Sequence, residues 1–205
     1  MADRAQSFTL EAFVAAILLV ATVAFALQAV AISSNTASAG ETELKNQHAN
    51  LAEGVLDSAL ADGSLRSTLL YWDTSTGQFY NADADGHYTS QLPPTPDGTA
   101  FGDALTGTFG DRQIRYNVDL YYRDATGERQ TQRLVESGTP TDDAVRVVET
   151  VTLYDDTRLV DENGDLTGTS LADVDADEDA AFYAPNVDET SPVYNVIRVE
   201  VVVWS

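Results

Sequence analysis

The sequence predicts an α+β protein in which a long N-terminal membrane-spanning helix, continued by an amphipathic helix, packs on an antiparallel sheet of at least four strands. Three observations indicate this class. Residues 12–32 form an uncharged apolar run, and leucines and valines then recur at helical spacing as far as residue 70. After residue 112, apolar and polar side chains alternate in several stretches, as is typical of half-buried strands.

The apolar run defines the first element. It has 21 residues, which at 1.5 Å per residue cover roughly 30 Å, the thickness of a bilayer core. Thr22 and Gln28 are its only polar side chains, whereas a helix on the surface of a globular domain normally has a polar stripe. We therefore predict a transmembrane helix over residues 12–32, preceded by a cytoplasmic leader and pre-span segment over residues 1–11.

The orientation of the predicted helix depends on few charges. Arg4 precedes the run, and Glu41 and Glu43 follow it, so the positive-inside tendency favours a cytoplasmic N-terminus. We expect a single-pass protein of the cell membrane, with the lipid bilayer as partner and the C-terminal domain outside the cell. Residues 37–39 also have the small-x-small form of a secretory cleavage site, which leaves a secreted domain beginning at Gly40 as an alternative.

The next elements are predicted from periodicity. Residues 33–70 form a polar neck and an amphipathic helix, whose apolar side chains recur at intervals of three, four or seven from Leu44 to Leu60 and which is interrupted near Gly63. Residues 71–205 form an acidic extracellular β-rich domain. Its first part, to residue 110, is rich in turn residues, with short strands over 78–81 and 88–91 that pair as a hairpin.

Clear alternation begins at Arg112. Residues 112–123 place apolar side chains at every second position, and Asp124–Gly127 is a turn into a partner strand over 128–136. A third strand covers 144–154, with a change of phase near Val148 that indicates a bulge. The β-branched residues of 193–204 predict a well-buried last strand.

Composition limits the function. The chain has 33 acidic and 11 basic side chains and a formal net charge of -22, so nucleic acid is not an expected partner. An acidic chain with Lys45 as its single lysine is typical of a halophilic, archaeal protein, because strong salt screens the repulsion between carboxylates; an acidic interaction protein of an ordinary organism is the alternative. The absence of cysteine excludes disulfides and thiolate chemistry.

The residues before the apolar run, Ser7–Glu11, read SFTLE. This segment resembles the N-terminus of type IV pilins and their archaeal relatives, in which a charged leader precedes a Phe-Thr-Leu-type segment, a glutamate and a long hydrophobic helix. The opening is also similar to haloarchaeal pilin-like membrane proteins of unassigned function. The resemblance covers about the first 35 residues. It implies a membrane-anchored pilin-like or minor-pilin subunit of a surface filament or its assembly.

The resemblance assigns expected roles to single residues. Glu11 is the assembly candidate, because the pilin glutamate neutralises the new N-terminal amine, often of the adjacent subunit; its alternative is a place at the membrane edge near the helix N-terminus. Processing near Ala5 would begin the mature chain at Gln6 or Ser7. Small side chains that allow close approach of helices are Ala15, Ala16, Ala21 and Ala24. The alternative function is a non-polymerising single-pass membrane protein with an extracellular binding domain.

Other candidate chemistry is weak. Asn81, Asp83 and Asp85 reproduce the first half of a calcium loop, but Leu92 stands where the bidentate glutamate belongs. The acidic stretches 161–165 and 173–179 could gather carboxylates around Ca²⁺ or Mg²⁺, although solvated loops are the simpler interpretation. The two histidines lie outside any hydrolytic motif. We therefore predict no enzymatic activity and no cofactor.

Overall fold

The computed structural model describes the backbone of residues 2–89, 100–112 and 114–205, and the side chains of residues 13–24, 40–89, 101–110, 112 and 114–205. The chain divides into two compact units, Met1–Leu44 and Lys45–Ser205. The described helices are α1 (Ala2–Asp62), α2 (Ser64–Leu69), α3 (Ala100–Phe109) and α4 (Leu171–Asp175). The described strands are β1 (Trp72–Asp73), β2 (Gln78–Phe79), β3 (Tyr88–Thr89), β4 (Arg115–Arg123), β5 (Arg129–Glu136), β6 (Val145–Tyr154), β7 (Arg158–Val160), β8 (Leu166–Ser170) and β9 (Val193–Trp204).

Helix α1 is continuous over 61 residues. In the first unit, every described side chain between residues 13 and 24 is exposed, including Phe13 at 66% and Val20 at 67%. The hydroxyl of Thr22 donates a hydrogen bond to the carbonyl of Leu18, one turn earlier. The helix thus satisfies this polar group internally and presents an apolar surface.

The prediction of a membrane-spanning helix over residues 12–32 is wrong. Among the residues that the structure describes, no helix is long and apolar enough to cross a bilayer. The class of the structure is α+β, but the single-pass cell-membrane location, with a cytoplasmic N-terminus and an extracellular domain, is not supported.

In the second unit, α1 continues as an amphipathic helix. Ala52, Val55, Leu56 and Ala59 are buried at intervals of three and four residues, as the periodicity predicted. Leu44 and Leu60, which were expected on this apolar face, are exposed instead. Gly63 adopts a positive φ of 82° between α1 and α2, and this left-handed conformation is the predicted interruption.

The central element of the second unit is a five-stranded sheet with the order β3-β5-β4-β9-β6. The long strands pair antiparallel, β4 with β5, β4 with β9 and β6 with β9, as alternation predicted. The short edge strand β3 pairs parallel with β5. The inner face of the five-stranded sheet belongs to the hydrophobic core and includes Tyr116, Val118, Leu120, Val199 and Val201.

Two details of the sheet differ from prediction. Val148 lies in a continuous register opposite Glu200, and the irregularity between β6 and β9 falls at Leu153/Tyr154 instead. The prediction that residues 78–81 and 88–91 pair as a hairpin is wrong, because β2 pairs with β1 and β3 pairs with β5. Residues 90 and 91 of the predicted second strand lie outside the described part of the chain.

Helix α3 lies within residues 71–110, where the many turn residues predicted irregular structure and short strands. Phe101, Leu105 and Phe109 are fully buried in the core. Their spacing of four residues is the helical signal, and it outweighs Gly107 because each side chain replaces water contacts with core contacts.

A cluster of aromatic side chains packs in the core below the inner face of the sheet. The ring of Trp72 lies 4.9 Å from that of Phe79 and 5.3 Å from that of Tyr183. The indole nitrogen of Trp72 donates to the carbonyl of Ala181 at 2.7 Å, and Tyr183 lies 5.7 Å from Tyr122 of β4. These contacts hold the segment that follows α4 against the inner side of the sheet.

Replacing Leu105 by alanine tests the role of α3. Because Leu105 is 0% exposed, we expect Leu105→Ala to lower the free energy of unfolding by about 2–5 kcal/mol. Urea denaturation followed by circular dichroism measures this change. Leu166→Ala removes a leucine that is 69% exposed and serves as the control, with an expected change within about 0.5 kcal/mol. Equal effects of the two substitutions would contradict the burial of α3.

Candidate functional site

The outer face of the sheet carries a concentration of arginines. Alternation along the strands and the cross-strand register place six of the chain's 11 basic side chains on this face. In a chain with a net charge of -22, such a grouping is a local reversal of sign. The six residues are Arg115, Arg123, Arg129, Arg133, Arg146 and Arg198.

Part of this face is neutralised by ion pairs. Asp119, 7% exposed, accepts a hydrogen bond from Nε of Arg133 at 2.9 Å, and Glu136 lies 2.8 Å from the same guanidinium. Nε2 of His87 lies 3.3 Å from the other oxygen of Glu136. The pair with Arg133 compensates the buried charge of Asp119, which would be costly if left alone.

Glu200 connects the neutralised part to the rest of the face. Its carboxylate accepts a hydrogen bond from the hydroxyl of Tyr121 at 3.3 Å and lies 3.8 Å from Arg146 and 3.4 Å from Arg198. Burial, and then the negative charge of Glu200, raise the pKa of Tyr121 above its ordinary value. The phenol therefore stays a neutral donor, and its ring is held in place.

Beside Tyr121 the face opens into a groove of about 240 Å³. The guanidinium of Arg129 lies over the ring of Tyr121, 4.0 Å from its centroid, and that of Arg198 lies 6.0 Å from it. Both distances are within the range of cation–π attraction. We call this feature the arginine groove; it is lined by Tyr121, Tyr122, Arg123, Arg129, Val196 and Arg198.

Two arginines of the groove face each other. Arg123 and Arg129 are directly opposite in the β4–β5 register, an arrangement that costs energy because their charges repel. Nη1 of Arg123 donates to the carbonyl of Gly127 at 2.7 Å. Neither guanidinium forms an ion pair with a carboxylate of the described residues. The groove thus contains positive charge that the surrounding side chains do not neutralise.

The turn that positions these arginines is organised by Asp124. Its carboxylate accepts hydrogen bonds from the backbone and hydroxyl of Thr126, from the backbone of Glu128 and from the amide of Gln130. Hydrogen bonds from the side chains of Thr126 and Gln130 lower the pKa of Asp124 to about 2. Gly127 adopts a φ of 83°, so the predicted turn Asp124–Gly127 has the chemistry its sequence indicated.

A second cavity of about 290 Å³ lies on the same face. It is lined by the paired carboxylates Asp119 and Glu200 together with Arg133 and Arg146. Because these charges are already paired, this cavity has less to offer a charged ligand than the arginine groove.

The weak metal candidates are not brought together around a site. Asn81, with a φ of 57°, donates its amide to the hydroxyl of Tyr71 at 2.9 Å, and the backbone of Asp83 bonds to that of His87. Within the part of the chain that is described, no group of three or more histidine or carboxylate side chains could hold a metal ion.

The predicted assembly residues lie in α1. The side chains of Ala5, Gln6, Ser7 and Glu11 are outside the described ones. Ala16, Ala21 and Ala24 line a shallow, open apolar concavity on α1 together with Ile17 and Val20, and Ala15 is exposed beside them.

The arginine groove was not predicted from the sequence. A signal exists, because Arg115, Tyr121 and Arg123 occupy the polar positions that alternate with the apolar ones of β4. Pairing with Arg129 and Arg198, however, depends on the register of three strands.

These features define an α+β protein with a long N-terminal helix and a sheet whose outer face carries an arginine groove. Residues 4–203 match the family described as "Family of unknown function (DUF7288)", and the chain belongs to that family. No curated protein matches it, and neither does any solved structure.

The hydrogen bonds of Asp124 lead to a prediction about pH. Because the folded-state pKa, about 2, is lower than the ordinary value of 3.8, the stabilisation is complete above about pH 4 and is lost as the pH falls through about 2. Asp124→Asn should therefore be less stable than the native chain near neutrality, with a difference that narrows towards pH 2. Urea denaturation across this range measures it.

The control for that experiment is Asp179→Asn, which removes one exposed carboxylate outside the turn. It should change stability much less than Asp124→Asn near neutrality. A pH-independent difference between Asp124→Asn and the native chain would show that the carboxylate's charge does not hold the turn.

Proposed function

We propose that the chain is a pilin-like or minor-pilin subunit that contributes to a surface filament or to its assembly through its N-terminal helix. The observation that supports this most is the distribution of exposed apolar side chains on α1. Phe13, Leu18, Leu19 and Val20 are each more than 60% exposed. At 100° per residue, Phe13 and Val20 point to one side of the helix, and Leu18 and Leu19 point to two other sides.

A helix that is apolar on all sides needs apolar neighbours on all sides. One partner helix covers a single stripe, so a pair of helices would leave much of this surface in water. Several copies packed around each other bury the whole circumference, as in the core of a helical filament. Identical helices from further copies of this chain supply a matching surface.

The concavity on α1 offers a contact for such a neighbour. Ala16, Val20 and Ala24 are four residues apart and therefore lie in one row. Ile17 and Ala21 form the adjacent row. Small side chains between larger ones allow a ridge of another helix to enter, which brings two helix axes to about 8–10 Å.

Glu11 would supply specificity to this packing. A carboxylate enclosed among apolar helices is costly unless a positive group pairs with it. The N-terminal amine of a neighbouring copy, exposed by processing before Gln6 or Ser7, is a suitable partner. This pairing would favour one axial position of neighbouring helices over others.

A second function is favoured by a different observation. The arginine groove contains unneutralised guanidinium groups beside the half-buried ring of Tyr121, which suits a binding domain for a carboxylate ligand. In this alternative the chain does not polymerise, and Glu11 has no role in assembly.

The first test compares Glu11→Ala with Glu41→Ala in the full chain, expressed in a cell that carries its assembly machinery. Both substitutions remove one carboxylate from the same helix. We expect Glu11→Ala to abolish filaments in negative-stain electron microscopy and Glu41→Ala to leave them unchanged. Mass spectrometry of the native chain should find a start at Gln6 or Ser7. Native chains without filaments would contradict the proposal.

The second test places a charge in the concavity. Val20→Arg would bury a guanidinium between helices without a partner, at a cost of several kcal/mol, so filaments should be lost. Glu41→Arg introduces the same side chain at an exposed position of α1 and should be tolerated. Filaments of normal yield and length from Val20→Arg chains would exclude packing of copies through this surface.

A further inference from the structure

We propose that the arginine groove of one copy binds the acidic segment of a second copy, residues 171–179. This contact deepens the proposed filament function, on which it rests, by naming an interaction between the second units of neighbouring subunits. The groove supplies the cations, and the segment supplies exposed carboxylates. The segment's acidic residues are Asp173, Asp175, Asp177, Glu178 and Asp179.

The described part of the arginine groove contains no anion that neutralises Arg123 and Arg129. Arg123 and Arg129 repel each other across β4 and β5 and have no carboxylate partner among the described residues. A carboxylate placed between them would replace this repulsion with two charge-assisted hydrogen bonds. The planar fork of each guanidinium matches the two oxygens of a carboxylate.

The groove also has room for a side chain and its backbone. Its volume is about 240 Å³, and Val196, 46% exposed, forms an apolar wall. The ring of Tyr121 is fixed by its bond to Glu200 and keeps Arg129 stacked above it. The cations are thus held in position before a ligand arrives, which reduces the entropy cost of binding.

The acidic segment is exposed but firmly anchored. Leu171 and Val174 are buried in the core, and Ser170 and Asp173 form a reciprocal capping box at the start of α4. The carboxylate of Asp173 therefore already accepts hydrogen bonds from Ser170 at the start of its own helix. Asp175, Asp177, Glu178 and Asp179 remain exposed for a partner.

The two surfaces are formed by different segments of the second unit. The acidic segment leads to Phe182 and Tyr183, which pack in the core under the inner face, whereas the arginine groove lies on the outer face. A contact between different surfaces of identical chains is heterologous, and it repeats from copy to copy unless the rotation closes a ring. This is the geometry that an extended assembly requires.

Net charge sets the conditions for the contact. Two copies with a charge of -22 each repel at long range, and this repulsion is screened when the Debye length falls to about 3 Å at 1 M salt. Pairs enclosed in a groove are screened much less than exposed ones. We therefore expect the contact to form at high salt.

Cysteine cross-linking tests the contact, because the chain has no cysteine of its own. Full-length chains carrying Val196→Cys are mixed at 1 M salt with differently tagged chains carrying Ala176→Cys. A disulfide between the two tags must join separate copies. We expect efficient cross-linking for this pair, and only background for Leu166→Cys with Ala176→Cys, since Leu166 is exposed but lies outside the groove.

Removing a groove charge provides the matched comparison. Arg129→Gln in the Val196→Cys chain should reduce cross-linking about tenfold, whereas Arg158→Gln, an exposed arginine outside the groove, should not. Replacing Asp175 and Asp177 by asparagine in the partner chain should reduce it as well. Circular dichroism verifies that each variant is folded. Equal yields with the Leu166 control, or no effect of Arg129→Gln, would overturn the proposal.

Comparing the cross-linking with filament formation by native chains separates the two proposals. Cross-linking that persists when native chains form no filaments would leave the groove contact standing and reject the filament function. Filaments without cross-linking at Val196 and Ala176 would keep the filament function and reject the contact.

Discussion

Pairing of β9 between β4 and β6 is the interaction on which the second unit depends. This strand contributes side chains to the core through Ile197, Val199 and Val201, while Arg198 and Glu200 lie on the outer face. Because neighbouring side chains of a strand point in opposite directions, burial of one row places the other row outside. A shift of β9 by one residue would bury charge and expose valines.

The same constraint produces the arginine groove. Once the core fixes the register, Arg198 lies opposite Tyr121, and Arg123 lies opposite Arg129. The energy gained from apolar burial on the inner face is large enough to hold two like charges opposite each other on the outer face, although this arrangement is itself destabilising. Asp124 then reinforces the arrangement by organising the turn between the two arginines.

The two units differ in how far they bury their own apolar side chains. The second buries its apolar side chains within itself, around α3, the aromatic cluster and the inner face of the sheet. In the first, Phe13 and its neighbours remain exposed, and this apolar surface requires other molecules to cover it.

The sequence by itself determined the elements whose pattern is local. The long helix, its interruption at Gly63, the turn at Asp124 and the antiparallel strands all follow from spacing and turn chemistry within a few residues. Local pattern also misled, because an apolar run does not establish a membrane crossing and turn residues concealed the buried face of α3. Only the tertiary structure decided where β3 pairs and which arginines meet around Tyr121, since register joins residues far apart in the chain through the burial of a shared core.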